Sequence, residues 1–354
     1  MKPEISVIMS VYNGETYLKE AVNSVINQTY KNWELIIIND CSTDSTGEIL
    51  AHFALKDERI KVYTNEVNLK LPASLNKAIS LSQGKYIARM DADDICLPER
   101  LEKQYKFMEN NSDVKLSSCK FMTVKNGVYA PGGAGGRCDS EALKAMLLVS
   151  NPILHPGAFA KAEVMKEFNY DTTLTCTEDL ELWARMASNN QKMEILPECL
   201  LIYRLHDKQI TSTTLERQHT EVLKIQEKYY SSLLSGLDEK FKEFYISGIY
   251  FREKADIGKY LAFAKWLKKQ TKGKLNKSSV NYALFEILAE YKRCGVAKKD
   301  VIKGMLSFCP CFLVKEILRR KKTAERDIKN CRKVAEKLKL KQTAGTKEYP
   351  IFEK

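Results

Sequence analysis

The sequence predicts an α/β fold, with a mostly parallel sheet covered by helices on both faces and a helical appendage after it. Strand and helix patterns alternate four times within the first ~110 residues, which is typical of a parallel sheet. Polar clusters follow three of these strands, at the sheet edge where such folds bind ligands. From about residue 213 the composition shifts to lysine, tyrosine, leucine, phenylalanine and glutamate at helical spacing, which predicts the appendage.

The first four strands are short and rich in β-branched residues. Trp33–Ile38 is apolar on both faces, as a buried parallel strand would be. The turn dipeptide Asn13-Gly14 separates the first strand from apolar residues at helical spacing. The predicted strands are Glu4–Tyr12, Trp33–Ile38, Ile60–Thr64 and Tyr86–Met90, and the helices after them begin near Tyr17, Ser45, Pro72 and Pro98.

Residues 114–205 follow a less regular pattern. Val114–Val124 and Leu200–Arg204 are predicted strands, and a helix begins at Thr177-Glu178-Asp179 with acidic residues at its positive end. We therefore expect an α/β domain over residues 1–212 and a helical, basic region over residues 213–354.

The bulk composition is that of a globular protein with a sizeable core, because 44% of the residues are hydrophobic. The sequence has no uninterrupted apolar run of about 20 residues, so no transmembrane helix is expected. The apolar part of the N-terminus is too short for a signal peptide. The 10 cysteines are scattered without a CxxC pair, which favours free thiols in a reducing compartment. We expect a cytoplasmic protein.

The positive charge is concentrated near the C-terminus. Between Lys315 and Lys341 there are 12 lysines and arginines and 4 acids, a net charge of 12 − 4 = +8, while the whole chain carries +12. Two interpretations stay open: a solvated helix with i,i+4 ion pairs, or peripheral contact with the anionic inner face of the cell membrane. Nucleic acid is not an expected partner, because no recognised motif accompanies the charge. The apolar stripe of this helix comprises Ile317, Leu318, Ala324, Ile328, Cys331, Ala335 and Leu338.

Three carboxylates follow the fourth strand within four positions, in the stretch Asp91-Ala92-Asp93-Asp94. Like charges this close repel one another, and at a buried strand end they would also lose hydration. In an extended chain Asp91 and Asp93 point to the same side, so both can face one hard divalent ion. The stretch therefore predicts a cation site, with a chance acidic triplet as the alternative.

Four motifs in this order resemble the family 2 glycosyltransferases with the GT-A fold, of the type that builds bacterial surface polysaccharides. They are Pro3–Leu18, Asn39–Asp44, Asp91-Ala92-Asp93 and Thr177-Glu178-Asp179. The resemblance covers roughly residues 3–210 and not the tail. It implies an inverting transfer of a hexose or N-acetylhexosamine from a nucleotide-diphosphate sugar, with a UDP-sugar favoured. The implied acceptor is a hydroxyl group of a glycan or of a lipid-linked molecule.

The resemblance also implies a role for each matching residue. Asp93 and His206 would bind Mn²⁺ or Mg²⁺. Asp179 would be the general base, with Glu178 beside it. His155 and Trp183 would border the acceptor. The residues expected to contact the nucleotide sugar are Val11, Tyr12, Asn13, Asp40, Asp91, Ala92 and Arg204.

Several of these residues could instead have purely structural roles. Glu178-Asp179 could be a helix N-cap, Asp94 could cap the segment after it, and His206 could stabilise the fold. For the chain as a whole, the main alternative is a catalytically silent GT-A module that binds a sugar nucleotide or a protein. A nucleotidyltransferase is less well matched, because it would need a glycine-rich phosphate loop with a basic residue where this chain has Val11-Tyr12-Asn13-Gly14.

Overall fold

The computed structural model describes residues 2–126, 128–132, 136, 138–174, 176–206, 215–251, 253–294, 296–297, 299–301, 310–337 and 341–342. The strands are β1 Ile5–Val11, β2 Trp33–Asn39, β3 Ile60–Thr64, β4 Tyr86–Arg89, β5 Ile95–Cys96, β6 Val114–Lys125, β7 Val128–Gly132, β8 Phe159–Lys161, β9 Lys192–Arg204 and β10 Lys341–Gln342. Along its main path the sheet has the order β10-β7-β6-β8-β4-β1-β2-β3, and β9 lies beside both β6 and β5.

Helices cover both faces of this sheet. Those of the α/β part are α1 Leu18–Ile26, α2 Thr46–Lys56, α3 Leu71–Leu81, α4 Arg100–Asn110, α5 Ser140–Met146, α6 Ala162–Phe168 and α7 Glu178–Ser188. The C-terminal helices are α8 Leu215–Leu233, α9 Ile257–Gln270, α10 Lys277–Arg293 and α11 Pro310–Lys337. A run of short helical turns over Glu239–Tyr250 connects α8 to α9.

The half of the sheet formed by β4, β1, β2 and β3 is parallel, as predicted. Side chains alternate across β2, so that Leu35 and Ile37 belong to one core while Ile36 and Ile38 belong to the other. The first core contains residues of α1, α2 and α4, and the second contains residues of α3 and the later helices. The prediction of helices on both faces is therefore confirmed.

The other half of the sheet is mixed. β8 lies antiparallel between β4 and β6, β7 is antiparallel to β6, and β9 is parallel to β6. The predicted strand Leu200–Arg204 is the end of the longer β9, because the residues before it alternate too weakly to be read as a strand. The sequence pattern did not reveal β5 or β8, since two or three residues carry no detectable period.

The C-terminal helices share a hydrophobic core with the α/β part. The hydroxyl groups of Tyr230 and Tyr245 both donate to the carbonyl of Leu148, at 2.9 and 2.7 Å. Residues of α8, α9 and α10 belong to the same buried cluster as residues of α3, α5 and α7. The predicted boundary at residue 212 lies outside the described residues.

Helix α11 packs against the sheet and is not simply a solvated helix. The buried side chains of Lys120 on β6 and Asp327 on α11 form an ion pair. Cys331 and Ala335 are buried in a cluster with residues of β6, β7 and β9. The predicted apolar stripe is therefore divided, because Ile317 stays exposed, as does the neighbouring Leu318, and Leu338 lies outside the described residues.

The remaining face of α11, which we call its outer face, is exposed and basic. It presents Lys315, Leu318, Lys322, Lys329 and Lys333. No helix in the described part of the chain has the length and apolar character needed to cross a bilayer.

Candidate active site

The carboxyl ends of β1, β2 and β4 lie at one edge of the sheet. Val11 pairs with Asn39 at the ends of β1 and β2, and the Asp40 N–H donates to the Val11 carbonyl at 2.8 Å. The Met90 N–H donates to the Ile8 carbonyl at 3.0 Å, directly before the three carboxylates. The polar segments that follow these strands are thus held side by side by the sheet hydrogen bonds.

Asp91, Asp93 and Asp94 form an acidic turn after β4, with one carboxylate oxygen of each lying within 4.8 Å of the others. Asp94 is fully buried, and its Oδ2 has no hydrogen-bond partner among the described residues. Burial raises the pKa of Asp94 well above its usual range, and the charges on Asp91 and Asp93 raise it further. Carboxylates held this close favour a cation between them.

The end of β9 closes one side of the acidic turn. The Arg204 N–H donates to Asp94 Oδ1 at 2.9 Å, and Arg204 Nε donates to the Asp93 carbonyl at 2.8 Å. His206 Nε2 lies 2.8 Å from Asp93 Oδ2, and the rings of His206 and Tyr17 are 5.1 Å apart. Asp94 thus anchors β9, whereas the sequence suggested that it caps the segment after it.

Asp93, Asp94 and His206 are the residues that could hold a divalent ion together. Carboxylate oxygens suit Mg²⁺ and Mn²⁺, and an imidazole nitrogen is a common additional ligand. The unpartnered, buried Oδ2 of Asp94 is an acceptor that belongs to this cluster. The donor set therefore fits the ion that the sequence predicts.

Arg89, the last residue of β4, supplies a buried positive charge beside the acidic turn. Its Nη1 donates to Asp91 Oδ2 at 2.5 Å, and its side chain is only 4% exposed. Burial raises the pKa of Asp91, and the Asp93 and Asp179 carboxylates add to this effect, while Arg89 opposes it. Sequence reasoning missed Arg89, although an arginine at the end of an apolar strand and next to three acids is a signal that could have found it.

Asp179 begins α7 together with Glu178. Asn151 Nδ2 donates to Asp179 Oδ2 at 2.7 Å, and the Leu180 N–H donates to Asp179 Oδ1 at 2.7 Å. Burial raises the pKa of Asp179, and these two hydrogen bonds and the positive charge of Arg89 oppose that rise. Asn151 was also missed from the sequence, because nothing in its local pattern distinguishes it.

Glu178 is buried beside Asp179. Burial, and then the neighbouring charge of Asp179, raises the pKa of Glu178 to about 7. His155 Nδ1 lies 3.7 Å from Glu178 Oε1, and burial holds the pKa of His155 well below its usual value. Burial thus disfavours the charged form of both side chains, so this contact is not a strong ion pair.

Some of the residues that the sequence predicts to contact the nucleotide sugar are exposed, and others are buried. Tyr12 is 52% exposed at the end of β1, while Val11 is buried. Asn13 Oδ1 accepts the Thr43 N–H at 2.8 Å, which ties the loop after β1 to the loop after β2. Ala92 lies in the acidic turn and is half-buried. These residues therefore lie at the carboxyl ends of β1 and β4, on the same edge of the sheet.

Asp40 is buried, and one of its carboxylate oxygens is hydrogen-bonded to the segment that follows β3. Its Oδ1 accepts from Asn65 Nδ2 and from the Leu69 N–H, each at 2.8 Å. Cys41, the next residue, has φ 63°, a left-handed conformation that favours glycine.

The two residues expected on the acceptor side are largely or wholly buried. Trp183 is 0% exposed and packs edge-on against the His155 ring at a centroid distance of 6.0 Å. His155 Nε2 is hydrogen-bonded to the Tyr170 hydroxyl at 2.8 Å. The expectation that Trp183 borders an acceptor is therefore corrected, because a side chain without exposed surface belongs to the core.

A cleft of about 370 Å³ opens beside His206. Arg204 faces it, and its Nη2 donates to Glu20 Oε2 at 2.7 Å while its guanidinium lies over the Tyr17 ring at 4.6 Å. The lining residues are Tyr17, Val124, Lys125, Asn126, Arg204, Leu205 and His206. The cleft thus carries cationic and aromatic groups next to the acidic turn.

Comparison with known proteins identifies the family to which this chain belongs. The sequence profile of glycosyl transferase family 2 matches residues 6–165. A glycosyltransferase of Methanocaldococcus jannaschii is 35% identical over 253 residues, which are 71% of this chain and 84% of the relative. The O-antigen biosynthesis glycosyltransferase WbnJ of Escherichia coli is 34% identical over 60% of this chain and 83% of its own. The chain therefore belongs to glycosyltransferase family 2 and is a sugar-transferring enzyme.

Solved structures support the same fold. Staphylococcus aureus TarS in complex with UDP-GlcNAc matches 86% of this chain and 89% of its own, with a TM-score of 0.55 and 19% identity. The mannosyltransferase PcManGT from Pyrobaculum calidifontis, in complex with GDP-Man and Mn²⁺, matches 94% and 88%, with a TM-score of 0.50 and 16% identity. The predicted GT-A fold with a helical C-terminal region is thus confirmed.

Proposed function

We propose that this glycosyltransferase moves a hexose or N-acetylhexosamine from a UDP-sugar to an acceptor hydroxyl group with inversion at the anomeric carbon. The observation that carries the proposal is the acidic turn at the strand ends, where three carboxylates lie within 4.8 Å of one another and His206 Nε2 lies 2.8 Å from Asp93 Oδ2. Asp179 is near enough for its charge to raise the pKa of Asp91. A leaving-group site and a candidate base thus lie close enough to influence each other. TarS and PcManGT bind nucleotide sugars, which supports a donor of this class.

Asp179 is the general base in this proposal. Its carboxylate takes the proton of the acceptor hydroxyl while the new bond from that oxygen to the anomeric carbon forms. The bond between the anomeric carbon and the phosphate oxygen breaks at the same time, and the nucleotide diphosphate leaves with the electron pair. Asn151 fixes the orientation of the Asp179 carboxylate through its 2.7 Å hydrogen bond. Attack opposite the leaving group inverts the anomeric configuration.

Asp93, Asp94 and His206 are the proposed ligands of a Mn²⁺ or Mg²⁺ ion. When bound, such an ion neutralises the charge that develops on the leaving diphosphate. PcManGT was solved with Mn²⁺, which favours testing that ion first. The cleft beside His206 is proposed to receive the diphosphate, with Arg204 contributing positive charge. Val11, Tyr12, Asn13, Asp40, Asp91 and Ala92 are the proposed nucleotide side of the site.

The proposed acceptor is a growing surface glycan or its lipid-linked precursor. WbnJ acts in O-antigen biosynthesis, which supports a polysaccharide product. The outer face of α11 is basic and carries the exposed Leu318, a combination that suits peripheral contact with the anionic inner face of the cell membrane. His155 is only 8% exposed, so we assign it the indirect role of supporting the acceptor side from beneath.

A screen of nucleotide sugars with Mn²⁺ tests the proposed reaction. Incubation with UDP-, GDP- and dTDP-sugars and simple glycoside acceptors should give transfer or slow hydrolysis of a UDP-sugar, detected as released nucleotide diphosphate. Proton NMR of the first product should then give the anomeric configuration opposite to that of the donor. Retained configuration would contradict the role of Asp179, and binding of a sugar nucleotide without turnover would favour a catalytically silent module.

A further inference from the structure

Helix α11 belongs to the same hydrophobic cluster as both chain segments that hold the acidic turn. Cys331 and Ala335 are buried in one hydrophobic cluster. The cluster residues on the α/β part are Ile95, Leu97, Met122, Val124, Tyr129, Cys199 and Ile202. They come from β5 and the residue after it, and from β6, β7 and β9, so one helix face covers several parts of the sheet at once.

Two of these cluster residues lie directly beside the acidic turn. Ile95 follows Asp94 in sequence, and Ile202 precedes Arg204 by two positions on β9. Ile95 and Ile202 are register partners in the β5–β9 pair. The position of β9 relative to β5 therefore determines how Arg204 meets the turn. The buried face of α11 contacts β9 and belongs to the same hydrophobic cluster as Ile95 of β5.

An ion pair holds α11 to this place on the sheet. The side chains of Lys120 and Asp327 are 6% and 4% exposed, and they join positions that are 207 residues apart in the sequence. Lys120 pairs with Cys199 of β9 in the sheet. Asp327 and Cys331 are one helical turn apart, so the ion pair and the apolar contact lie on the same face of α11.

We propose that Asp327, Cys331 and Ala335 are positioning residues for the metal-binding turn, although they lie far from it in sequence. Docking of α11 fixes β9 against β5, and this fixes His206 and Arg204 against Asp93 and Asp94. The C-terminal helix is then a part of the donor site and not an appendage to it. The inference rests on the proposed function, because it concerns the same metal site.

The test compares Mn²⁺ binding by the full-length chain and by variants of α11. Ala335→Arg places a charged side chain in the buried contact, and Glu336→Arg places the same side chain at the next, exposed position as a matched control. Asp327→Asn removes one partner of the ion pair, and the double variant Lys120→Met/Asp327→Leu replaces both with apolar groups. Free Mn²⁺ is measured by EPR during titration, at a temperature where circular dichroism shows each variant to be folded.

We expect Mn²⁺ binding to weaken at least tenfold in Ala335→Arg and in Asp327→Asn, and to stay within twofold of wild type in Glu336→Arg. The double variant should recover most of the loss, because it leaves no unpaired charge buried between α11 and the sheet. Lower melting temperatures with unchanged Mn²⁺ affinity would overturn the inference and leave α11 a stabilising element only. If Ala335→Arg does not fold, Asp327→Asn against the double variant decides the question.

The wild-type protein separates this inference from the proposed function. A wild-type chain that neither binds Mn²⁺ nor transfers sugar would contradict the proposed function. A wild-type chain that does both, with variants that bind Mn²⁺ equally well, would contradict only the positioning role of α11.

Discussion

At the scale of single residues, the charge balance of the site depends on Arg89. Several carboxylates lie near Arg89 at the strand-end edge, and its positive charge opposes the rise that burial causes in their pKa values. They are Asp91, Asp94, Glu178 and Asp179. An arginine that is 4% exposed is costly to bury unless a carboxylate accepts from it, and Asp91 does so.

Replacing Arg89 with methionine should lower the free energy of unfolding by about 3 kcal/mol, because Asp91 loses its buried partner. Urea unfolding followed by tryptophan fluorescence measures this change. Arg217→Met is the matched control, since Arg217 is more than half exposed in its 2.9 Å contact with Glu221 and should matter by less than about 1 kcal/mol. Equal losses in the two variants would contradict a special role for Arg89.

The raised pKa of Glu178 predicts a pH-dependent stability. Its pKa is 4.5 in the unfolded reference and about 7 in the native protein, so the native state binds the proton more tightly. The stability that this proton contributes is complete below pH 4.5 and is lost as the pH rises through 7. Glu178→Gln should therefore gain about 1–3 kcal/mol relative to wild type between about pH 5 and pH 8. A difference in melting temperature that does not change with pH would contradict the assignment.

The resemblance assigned roles mainly to residues in or near its motifs, and it assigned none to the residues that only the fold brings beside them. Asp93 and His206 lie in contact as it implied, and Asp179 begins a helix as predicted. Trp183 was misjudged, because a tryptophan in an amphipathic helix gives no sign of which side faces a ligand. Asn151 was missed because its hydrogen bond to Asp179 spans 28 residues of sequence.

At the scale of secondary-structure elements, long apolar runs were predictable and short connecting elements were not. β1 and β2 are runs of seven residues with strong β-branched character, and their parallel pairing follows from the helix between them. β8 has three residues and lies between β4 and β6, so its place is decided by the sheet and not by its own sequence. The same holds for the docking of α11, which depends on a partner on β6.

The close approach of the chain before β4 to β1 can be tested with two glycines. A Cβ on Gly84 would lie 2.6 Å from the backbone nitrogen of Ser6, so Gly84→Ala should destabilise the protein by about 1–3 kcal/mol. A Cβ on Gly47 in α2 would meet only Asn39 Nδ2 at 3.7 Å, so Gly47→Ala should stabilise it by up to about 1 kcal/mol. Thermal unfolding of both variants measures the two signs, and a stabilising Gly84→Ala would contradict the packing.

At the scale of the whole molecule, the α/β part and the C-terminal helices share one core, and the charge is distributed unevenly over them. The strand-end edge is acidic around Asp93, whereas the outer face of α11 is basic. Both features were predictable from composition and charge spacing. The packing of Cys331 on this helix against the sheet was not predictable, because an apolar helical stripe does not reveal which element it packs against.

The outer face of α11 should determine binding to anionic membranes. A variant with Lys315, Lys322, Lys329 and Lys333 all replaced by glutamine should bind vesicles of phosphatidylcholine and phosphatidylserine at least tenfold more weakly, since each lysine near such a surface contributes about 1 kcal/mol. Flotation of the full-length protein measures this. The matched control replaces exposed lysines of other surfaces, namely Lys56, Lys70, Lys224 and Lys228. Equal flotation of the two variants would contradict membrane contact through α11.

The central claim is that Asp179 and the acidic turn form one catalytic site for sugar transfer, and turnover by Asp179→Asn tests it most directly. Asparagine keeps the size of the side chain but cannot accept the acceptor proton. We predict that the rate of sugar transfer falls by about 10²–10⁴-fold while calorimetric UDP binding in Mn²⁺ stays within a few-fold of wild type. Asp171→Asn, in the turn where Asp171 accepts the Thr173 N–H, should turn over like wild type. Near-normal sugar transfer by Asp179→Asn would contradict the claim.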